Sequence, residues 1–563
     1  MQFVFTLHSH LPWVLHHGRW PHGSDWLCEA ALDTYLPLLE ELQGLRNDGV
    51  PAPLTIGITP VLANQLAHPS FVQEMEQFLA QRLEACERAP GELATSGDGD
   101  LVPLVAFWTD RLQRLRQLFR DLDGDLVTAF RTLEEAGRLE IIGSAATHGY
   151  LPLLKRDESI RLQLLVGYSE HQRLFGRAPR GCWLPECAYR ARGPWSATGN
   201  ETRERAGIDE HLAAVGFRYF FTDAHQAAAG IPLGTYQDVP LGTERFDAAR
   251  HDVLGQGHPR PQRSPYWAYD VTLSGAPPVH AFVRDPKSSM QVWSRHHGYP
   301  GDGWYLEFHK IRWPGGLKLW RVTGPDLDLG DKRSYVPGAA EGRADEHARH
   351  FASLLSSIAA EQSGAGDVIV APFDTELFGH WWFEGIRFIG DLYRRLARTT
   401  GVRAVTASGH LTQHRNPRRL RLSEGSWGAN GDHSMWLNPG TRWTWERLWP
   451  LEDRFWAAAP AALSADGPRE VLAQAARELL LAQSSDWQFI ISTGAVADYA
   501  ERRFQLHCDD TARLLAALEN GSPEALTRGQ QEAASLAERD AVFPDVLESV
   551  ESALRAAEPA GAL

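Results

Sequence analysis

Short apolar runs alternate with longer amphipathic segments along the first 410 or so residues. Eight apolar runs have the length and composition of β-strands: 2–7, 54–58, 139–143, 181–184, 218–221, 279–283, 368–371 and 403–406. Segments with helical spacing lie between them, among them 26–45, 109–135, 159–175, 201–215, 344–361 and 385–399. Strands that alternate with helices predict parallel βαβ units, and this many units predict a closed or nearly closed (β/α) barrel.

Two stretches interrupt the alternation, and a third region ends it. Residues 71–118 are charged and helical in spacing, which predicts a helical insertion after the second strand. Residues 230–265 are rich in Gly, Pro and Gln and predict long loops over the barrel mouth. Strand signals end near residue 441, and later helical spacing predicts an α-helical domain. We therefore expect a barrel domain over about 1–410 and a helical domain over 411–563.

Length and charge exclude some classes of partner. The 563 residues carry a formal net charge of −15, whereas nucleic acids and anionic membranes normally attract a basic surface. No run of 18 apolar residues occurs, so we expect no membrane span. The first eight residues predict a strand rather than a signal peptide. We expect no nucleic-acid or membrane partner.

Cysteine usage suggests the compartment. Five cysteines are few and odd in number for this length, and none has C-x-x-C spacing: Cys28, Cys86, Cys182, Cys187 and Cys508. Reduced thiols in a cytoplasmic protein are the simplest interpretation. The sequence leaves the oligomeric state open, with a monomer as our expectation.

The 20 tryptophans weakly favour a carbohydrate ligand. Indole rings pack on the flat CH faces of sugars and donate one N–H, but large cores also use Trp. The chemistry therefore depends on polar residues at strand ends, because active sites of (β/α) barrels lie at the carboxyl ends of the strands. Such residues are His8, His10, Ser144, Glu186, Asp223, Asp285 and Asp374.

Two of these acids share one local pattern. Glu186 follows an apolar strand and Pro185, and Asp374 likewise follows an apolar strand and a proline, Pro372. Glycoside cleavage needs two carboxyl groups, one that attacks or stabilises the anomeric carbon and one that protonates the leaving oxygen. Either acid alone would more often be a strand-end cap or an ion-pair partner. The shared pattern and the aromatic surroundings favour Glu186 and Asp374 as a catalytic pair.

His8 and His10 are two apart on a predicted strand and so project to the same face. Such a pair suits either a metal or a hydroxyl-rich ligand. A metal needs a third ligand, for which Asp25 or His148 is conceivable, although no linear motif selects either. Sugar binding or support of the active site is the favoured role, and we expect no metal and no other cofactor.

Several segments in order along the chain resemble the conserved regions of glycoside hydrolase family 57. The strongest are 8–13, 57–60, 183–186 and 371–376, and further similarity lies at 283–286, 291–294, 298–301, 427–436 and 484–487. The motifs are specific in combination and span nearly the whole chain. Within the family, the similarity is greatest to the 1,4-alpha-glucan branching enzymes.

The resemblance implies an incomplete (β/α)7 barrel with an inserted helical subdomain and a C-terminal helical domain that contributes to the active site. It also implies a retaining mechanism without a metal, acting on α-1,4-glucans such as amylose and glycogen. Matched by motif, Glu186 is the nucleophile and Asp374 the general acid/base. The implied substrate-binding residues are His10, Tyr236, Trp293, Trp427, Trp436 and Asp486, with Tyr236 on a loop over the acceptor site.

Other functions stay open at this point. A 4-alpha-glucanotransferase or an α-amylase of the same family would use the same residues and differ in its products. A glucan-binding protein without activity is a third hypothesis, against which the two acids count. A metal-dependent polysaccharide deacetylase, suggested by His8 and His10 alone, would be dismissed by insensitivity to chelators. Each tryptophan could instead belong to the core.

Overall fold

The fold was analysed in a computed structural model of the chain. It describes residues 1–20, 22–197, 202–228, 263–272, 277–294, 298–324, 326–362, 364, 366–414, 418–464 and 467–555. The strands are β1 (Gln2–Ser9), β2 (Leu54–Ile58), β3 (Leu139–Ser144), β4 (Gly181–Trp183), β5 (Gly193–Trp195), β6 (Arg203–Arg205), β7 (Tyr219–Thr222), β8 (Ala268–Asp270), β9 (His280–Val283), β10 (Val368–Asp374), β11 (Arg403–Ala404) and β12 (Arg418–Arg419).

A curled sheet of parallel strands forms the centre of the molecule. Its strands follow the order β10, β1, β2, β3, β4, β7 and β9, with β8 antiparallel beyond β9. A backbone hydrogen bond of 2.8 Å from Asp285 N to Val370 O links the β9 side back towards β10. The sheet therefore curls into an incomplete (β/α)7 barrel, and the predicted fold class is confirmed.

The barrel strands β1, β2, β4 and β7 are buried on both faces, as expected for a parallel sheet covered by helices. Every residue of β1 is buried, and the ring of Phe5 contacts those of Phe373 and Phe378 with centroids 5.6 and 5.8 Å apart. This uniform burial explains why the strands read as continuous apolar runs rather than as alternating patterns. All eight predicted strand runs form strands in the structure.

The helices are α1 (Ser24–Ala30), α2 (Leu36–Asn47), α3 (Pro60–Leu66), α4 (Pro69–Ser96), α5 (Val102–Asp121), α6 (Leu126–Glu135), α7 (Asp157–Phe175), α8 (Ile208–Val215), α9 (Pro286–Trp293), α10 (Pro337–Glu361), α11 (Gly385–Leu396), α12 (Ala407–Gln413), α13 (Arg442–Ala462), α14 (Arg469–Ala482), α15 (Asp486–Thr493), α16 (Ala497–Asn520), α17 (Pro523–Arg539) and α18 (Val546–Arg555). A π-helical turn, Ala31–Tyr35, joins α1 to α2. Helices α4 and α5 lie in the predicted helical insertion between β2 and β3.

Two helix predictions were wrong in their bounds. The predicted helix 109–135 is divided because Asp123 and Gly124 adopt left-handed backbone conformations (φ 52° and 73°). The predicted helix 201–215 begins only at Ile208, since Arg203–Arg205 forms β6 in a hairpin with β5.

The C-terminal helices pack against the carboxyl ends of the barrel strands. Trp449 Nε1 donates to Leu153 O at 2.9 Å, and Trp456 Nε1 donates to Ser159 Oγ at 2.9 Å. Ser485 N donates to His148 O at 3.2 Å, which fixes the start of α15 at the barrel mouth. None of the described helices is both long and apolar enough to cross a membrane. A domain boundary near residue 410 stays a prediction.

Candidate active site

The predicted catalytic acids lie at one mouth of the barrel. Asp374 is the last residue of β10 and lies opposite His8 of β1 in the parallel register. Glu186 follows β4 after Leu184 and Pro185, and the charge of Asp374 contributes to raising the Glu186 pKa. The structure thus brings together two carboxyl groups that are distant in sequence.

The backbone at Glu186 is strained. Glu186 (φ 60°) and Cys187 (φ 48°) both occupy the left-handed region, which costs residues with a side chain roughly 1–3 kcal/mol each. Cys187 N donates to Leu184 O at 2.9 Å, and Trp427 N donates to Glu186 O at 3.0 Å. These bonds hold the turn that aims the Glu186 carboxyl into the barrel mouth.

Two side chains donate hydrogen bonds to Glu186. Trp427 Nε1 donates to Oε2 at 2.8 Å, and Ser485 Oγ donates to Oε1 at 3.3 Å. Burial raises the pKa of Glu186 to about 8, the Trp427 hydrogen bond opposes this rise, and the charge of Asp374 adds to it. The donors favour the ionised form of Glu186.

Asp374 lies among charges of both signs. Burial and, to a smaller extent, the charge of Glu376 raise its pKa to about 8, and the guanidinium of Arg284 opposes this rise. The negative neighbour favours the protonated form of Asp374. Two carboxyl groups, one that accepts hydrogen bonds from Trp427 and Ser485 and one beside the negative charge of Glu376, suit a nucleophile and a general acid.

Glu376 is held by the π-helical turn and by the loop after β1. Tyr35 Oη, from that turn, donates a short hydrogen bond to Glu376 Oε1, and His10 N donates to the same oxygen at 3.2 Å. Burial raises the pKa of Glu376 to about 7, whereas these donors lower it. π-Helical turns often occur at functional sites, and this one aims a hydroxyl at Glu376, two residues after Asp374.

His10 links the barrel to the helical layer. Its Nδ1 lies 3.0 Å from Thr59 Oγ1, and its Nε2 lies 2.8 Å from Asp486 Oδ2 at the start of α15. Burial alone would raise the Asp486 pKa, but interactions with His10 outweigh it and the pKa is lowered. His10 and Asp486, both predicted to bind substrate, therefore contact each other.

A stack of imidazole rings lines the wall beside His10. His148 stacks on His10 with centroids 4.1 Å apart, and its Nε2 lies 3.0 Å from His8 Nε2. His8 in turn stacks on Trp183 at 4.5 Å. Burial lowers the pKa of His8 and of His148, with neighbouring histidines adding to the effect. We conclude that both rings are neutral at neutral pH.

The predicted aromatic residues differ in position. The rings of Trp293 and Trp427 meet edge to face at 5.9 Å, and Trp427 also contacts Trp183 at 5.2 Å. Trp427 is mostly buried with its indole N–H on Glu186, and Trp293 is partly exposed. Both therefore lie beside the catalytic acids.

Trp436, which is predicted to bind substrate, is buried in this structure. Its side chain is 0% exposed and stacks on Tyr150 at 4.4 Å. Trp436 therefore packs behind the site wall, as an ordinary core tryptophan does. Tyr236 lies outside the described residues.

Two groups of described residues have the composition of metal ligands: His10, His148 and Asp486, and His17, His507 and Asp540. In the first, the rings of His10 and His148 are stacked with an interplanar angle of 20°, so their in-plane lone pairs lie in two nearly parallel planes and do not meet at one point. In the second, Arg539 pairs with Asp540 at 2.7 Å and repels a cation. Neither arrangement favours a metal.

Several site residues were not assigned from the sequence. Ser485 and His148 contact Glu186, and Tyr35 contacts Glu376. Ser485 lies inside a recognised motif, so its neighbour Asp486 could have drawn attention to it. Tyr35 had no signal, because only the fold brings the π-helical turn to β10.

Comparison with known proteins identifies the family. A family model described as Glycosyl hydrolase family 57 matches residues 4–423, more than half of the chain. The chain belongs to glycosyl hydrolase family 57. A second model, described as 1,4-alpha-glucan branching enzyme, C-terminal, matches residues 449–550 of this family 57 protein.

Named relatives of the family 57 protein cover most of its length. It is 40% identical over 516 residues to a 1,4-alpha-glucan branching enzyme of Thermococcus kodakarensis, covering 91% of this chain and 73% of the relative. The crystal structure of that relative matches with a TM-score of 0.87 at 38% identity, over 97% and 96% of the chains. The crystal structure of a branching enzyme of Pyrococcus horikoshii matches with a TM-score of 0.84 at 38% identity, over 97% of this chain and 96% of the other. The crystal structure of an α-amylase of Thermotoga maritima matches with a TM-score of 0.77 at 30% identity, over 98% of each chain.

The indole N–H of Trp427 gives the first testable prediction for this family 57 protein. In Trp427→Phe, loss of the hydrogen bond to Glu186 should raise the Glu186 pKa, because that bond favours the carboxylate. A nucleophile must be ionised, so the acidic limb of the kcat/KM profile should move up by about one pH unit. α-Maltosyl fluoride is a suitable substrate for this measurement.

Trp456→Phe is the matched control, since Trp456 is a buried indole that donates to Ser159 far from the acids. It should leave the acidic limb in place. If both variants kept the wild-type limb, Trp427 would not control the ionisation of Glu186.

Proposed function

We propose that this family 57 protein is a 1,4-alpha-glucan branching enzyme. It cleaves an α-1,4-linked glucan such as amylose or glycogen with retention, and it transfers the cleaved chain to a 6-hydroxyl. The observation that carries the proposal is the pair of Glu186 and Asp374 at one barrel mouth, where Trp427 and Ser485 donate hydrogen bonds to Glu186 and the charge of Glu376 raises the pKa of Asp374. The match of residues 449–550 to the branching-enzyme C-terminal model supports the type of transfer.

The first step forms a covalent intermediate. An oxygen of ionised Glu186 attacks the anomeric carbon, and the bond from that carbon to the leaving O4 breaks. Asp374 gives its proton to O4, so the reducing-end part of the glucan departs as a neutral alcohol. Trp427 and Ser485 hold the attacking carboxylate through their hydrogen bonds to it.

The second step transfers the chain. Asp374, now ionised, accepts the proton of a 6-hydroxyl on another glucan, and that oxygen attacks the anomeric carbon. The bond to Glu186 breaks, and the α-configuration is restored by the second inversion. Transfer rather than hydrolysis requires that water is excluded while the intermediate waits for its acceptor.

The helical layer supports such exclusion. Asp486 reaches the mouth from α15 and bonds to His10 at 2.8 Å, so the C-terminal helices form part of the site wall. Under this proposal His10 and Asp486 bind sugar hydroxyls, and Trp293 and Trp427 pack on sugar rings. Trp436 supports the wall from behind, and Tyr236 covers the acceptor.

Hydrolysis and disproportionation are the competing outcomes for the same intermediate. The relative in Thermotoga maritima is named an α-amylase, and its structure matches over 98% of this chain. The same fold therefore occurs with either activity, and under this proposal the acceptor decides between them. A 4-alpha-glucanotransferase would transfer to a 4-hydroxyl instead of a 6-hydroxyl.

Linear amylose distinguishes these activities. We expect the purified protein to create α-1,6 linkages, counted by proton NMR, with few new reducing ends. The Glu186→Gln variant, prepared in parallel, should create neither and so controls for contaminating enzymes. Many reducing ends without α-1,6 signal would identify a hydrolase. No change in either would leave only glucan binding or a different glucan.

The proposal includes partner and compartment. The expected partner is an α-1,4-glucan, without nucleic acid or membrane, and the monomer remains our expectation. All five cysteines are buried and free, which supports a reducing compartment such as the cytoplasm.

A further inference from the structure

Arg284 is a buried cation beside the aromatic rings of Trp293 and Trp427, and the proposed mechanism gives it no role so far. It follows β9, and its backbone N donates to Thr222 O at 2.9 Å. The side chain is 1% exposed. Within the described part of the chain, its Nε, Nη1 and Nη2 atoms have no hydrogen-bond partner.

Aromatic rings and one carboxylate hold the guanidinium in place. Its Cζ lies 5.8 Å from the ring centroid of Trp293 and 5.6 Å from that of Trp427. Nη1 lies 3.7 Å from Oδ2 of Asp223, an ion-pair distance too long for a hydrogen bond. Trp427 is also the donor to Glu186, so the cation packs directly on a residue that holds the nucleophile.

Burying a guanidinium without hydrogen bonds costs free energy, which an apolar residue of similar size would not. The Trp293 and Trp427 rings could pack equally well against an uncharged aliphatic side chain. The cost is explained if the positive charge acts on a group that changes its own charge during the reaction.

Every neighbouring strand end contributes titratable groups around this cation: Asp223 and His225 after β7, Glu186 and Cys187 after β4, Asp285 before α9, and Asp374 and Glu376 at β10. Asp285 is already satisfied, since its carboxylate caps α9 by accepting from Ser288 N at 2.8 Å. Glu376 accepts from Tyr35 and from His10 N. Asp374 is the group whose charge changes in both steps of the proposed reaction.

We propose that Arg284 is a positioning residue that stabilises the ionised form of Asp374 while Asp374 acts as the base in the transfer step. This inference rests on the proposed function. Burial and Glu376 keep Asp374 protonated for the first step, and Arg284 limits that effect. After Asp374 has given its proton to O4, Arg284 offsets the new negative charge until the acceptor hydroxyl returns a proton.

The test uses α-maltosyl fluoride, since fluoride leaves with little help from an acid and the second step then limits turnover. In Arg284→Met the Asp374 pKa should rise, because a nearby positive charge is lost. The acidic limb of kcat should move to higher pH, and turnover on that limb should fall about tenfold for every pH unit that the limb moves. The glycosyl-enzyme should accumulate in the intact-protein mass spectrum.

Azide separates this effect from a structural defect. Azide needs no proton removed, so it should restore the turnover of Arg284→Met towards the wild-type level with formation of α-maltosyl azide. Arg284→Lys keeps the charge and should recover part of the wild-type pH profile. If the Met variant does not fold, Arg284→Gln carries the same test, since it also removes the charge.

Arg205→Met is the matched control. Arg205 is also buried, stacks over Trp195 at 4.7 Å and pairs with Asp157 at 2.7 Å. The Arg205→Met variant should lose thermal stability, but its pH profile of kcat should not shift. An unshifted profile in the Arg284 variants, with Asp374→Ala still rescued by azide, would overturn the role of Arg284 alone. If azide also failed to rescue Asp374→Ala, the result would contradict the proposed function, in which Asp374 is the general acid/base.

Discussion

Replacing Glu186 with glutamine is expected to lower kcat on amylose and on α-maltosyl fluoride by about four orders of magnitude or more. The amide keeps the size of the side chain but cannot form the bond to the anomeric carbon. Because fluoride is a good leaving group, α-maltosyl fluoride does not bypass the defect. Reducing-end release and fluoride release measure the two rates.

Glu452→Gln is the matched control for this variant. Glu452 is fully buried, and burial raises its pKa to about 7, but its carboxylate accepts from the backbone of Lys155 and Arg156 away from the site. It should change stability rather than the chemical step. Comparable activity loss in both variants would mean that Glu186→Gln acts through folding.

The smaller variant Glu186→Ala identifies the role of the lost carboxylate. It leaves room for azide, which can attack the α-linked fluoride directly and form the β-configured maltosyl azide. One inversion then replaces the two inversions of the retaining mechanism. An α-configured azide product from this variant would contradict the assignment of Glu186 as nucleophile.

Replacing Asp374 with alanine is expected to have the second largest effect. Loss of a general acid/base costs about 10²- to 10⁴-fold in rate. The rate on amylose should fall most, since its O4 leaving group needs a proton. The first step with α-maltosyl fluoride should still proceed, because fluoride leaves with little help from an acid. Steady-state rates on the two substrates, measured side by side, test this difference.

Azide should rescue Asp374→Ala on α-maltosyl fluoride and yield the α-configured azide, because it attacks the covalent intermediate on Glu186. The two alanine variants therefore predict azide products of opposite configuration. Glu376→Gln is the informative comparison, since Glu376 also lies at β10 and is buried. If Glu376→Gln rather than Asp374→Ala gave azide rescue, Glu376 would be the acid/base.

The assignment of roles depends on surroundings rather than on intrinsic acidity. Both carboxyls have pKa values raised to about 8, chiefly by burial. Because each charge disfavours the other, the pair keeps one proton over a range of pH. Hydrogen bonds from Trp427 and Ser485 direct the negative charge to Glu186, and Glu376 directs the proton to Asp374.

The barrel was predictable from sequence because its strands are buried on both faces. Such strands appear as continuous apolar runs, and the predicted run 54–58 coincides with β2. The residues after the runs also carried information, since the carboxyl ends of parallel strands share one mouth. Glu186 and Asp374 could therefore be paired before their contacts were known.

Local conformations set by glycine or by neighbouring elements were harder to predict. The break between α5 and α6 depends on the left-handed backbone conformations of Asp123 and Gly124. The helical spacing of apolar residues continues through this break, so the spacing alone predicts one helix. The start of α8 depends on the pairing of β5 with β6, a hairpin without a strong apolar pattern.

The sequence also could not predict which side chains of one segment reach the active site and which are buried against other helices and strands. Trp427 and Trp436 lie in the same recognised segment, yet one donates to Glu186 and the other stacks on Tyr150 inside the core. The Tyr35–Glu376 contact joins residues 341 positions apart. The spacing of residues along the sequence cannot predict such a contact, since only the folded chain brings the two residues together.

Trapping the covalent intermediate tests the central claim most directly. Asp374→Ala mixed with α-maltosyl fluoride should accumulate the glycosyl-enzyme, since the first step proceeds and the second lacks its base. Peptic digestion at low pH followed by mass spectrometry then locates the sugar. The account predicts one maltosyl group on the carboxyl of Glu186. A sugar on Glu376 or another residue, or turnover without any covalent species, would contradict it.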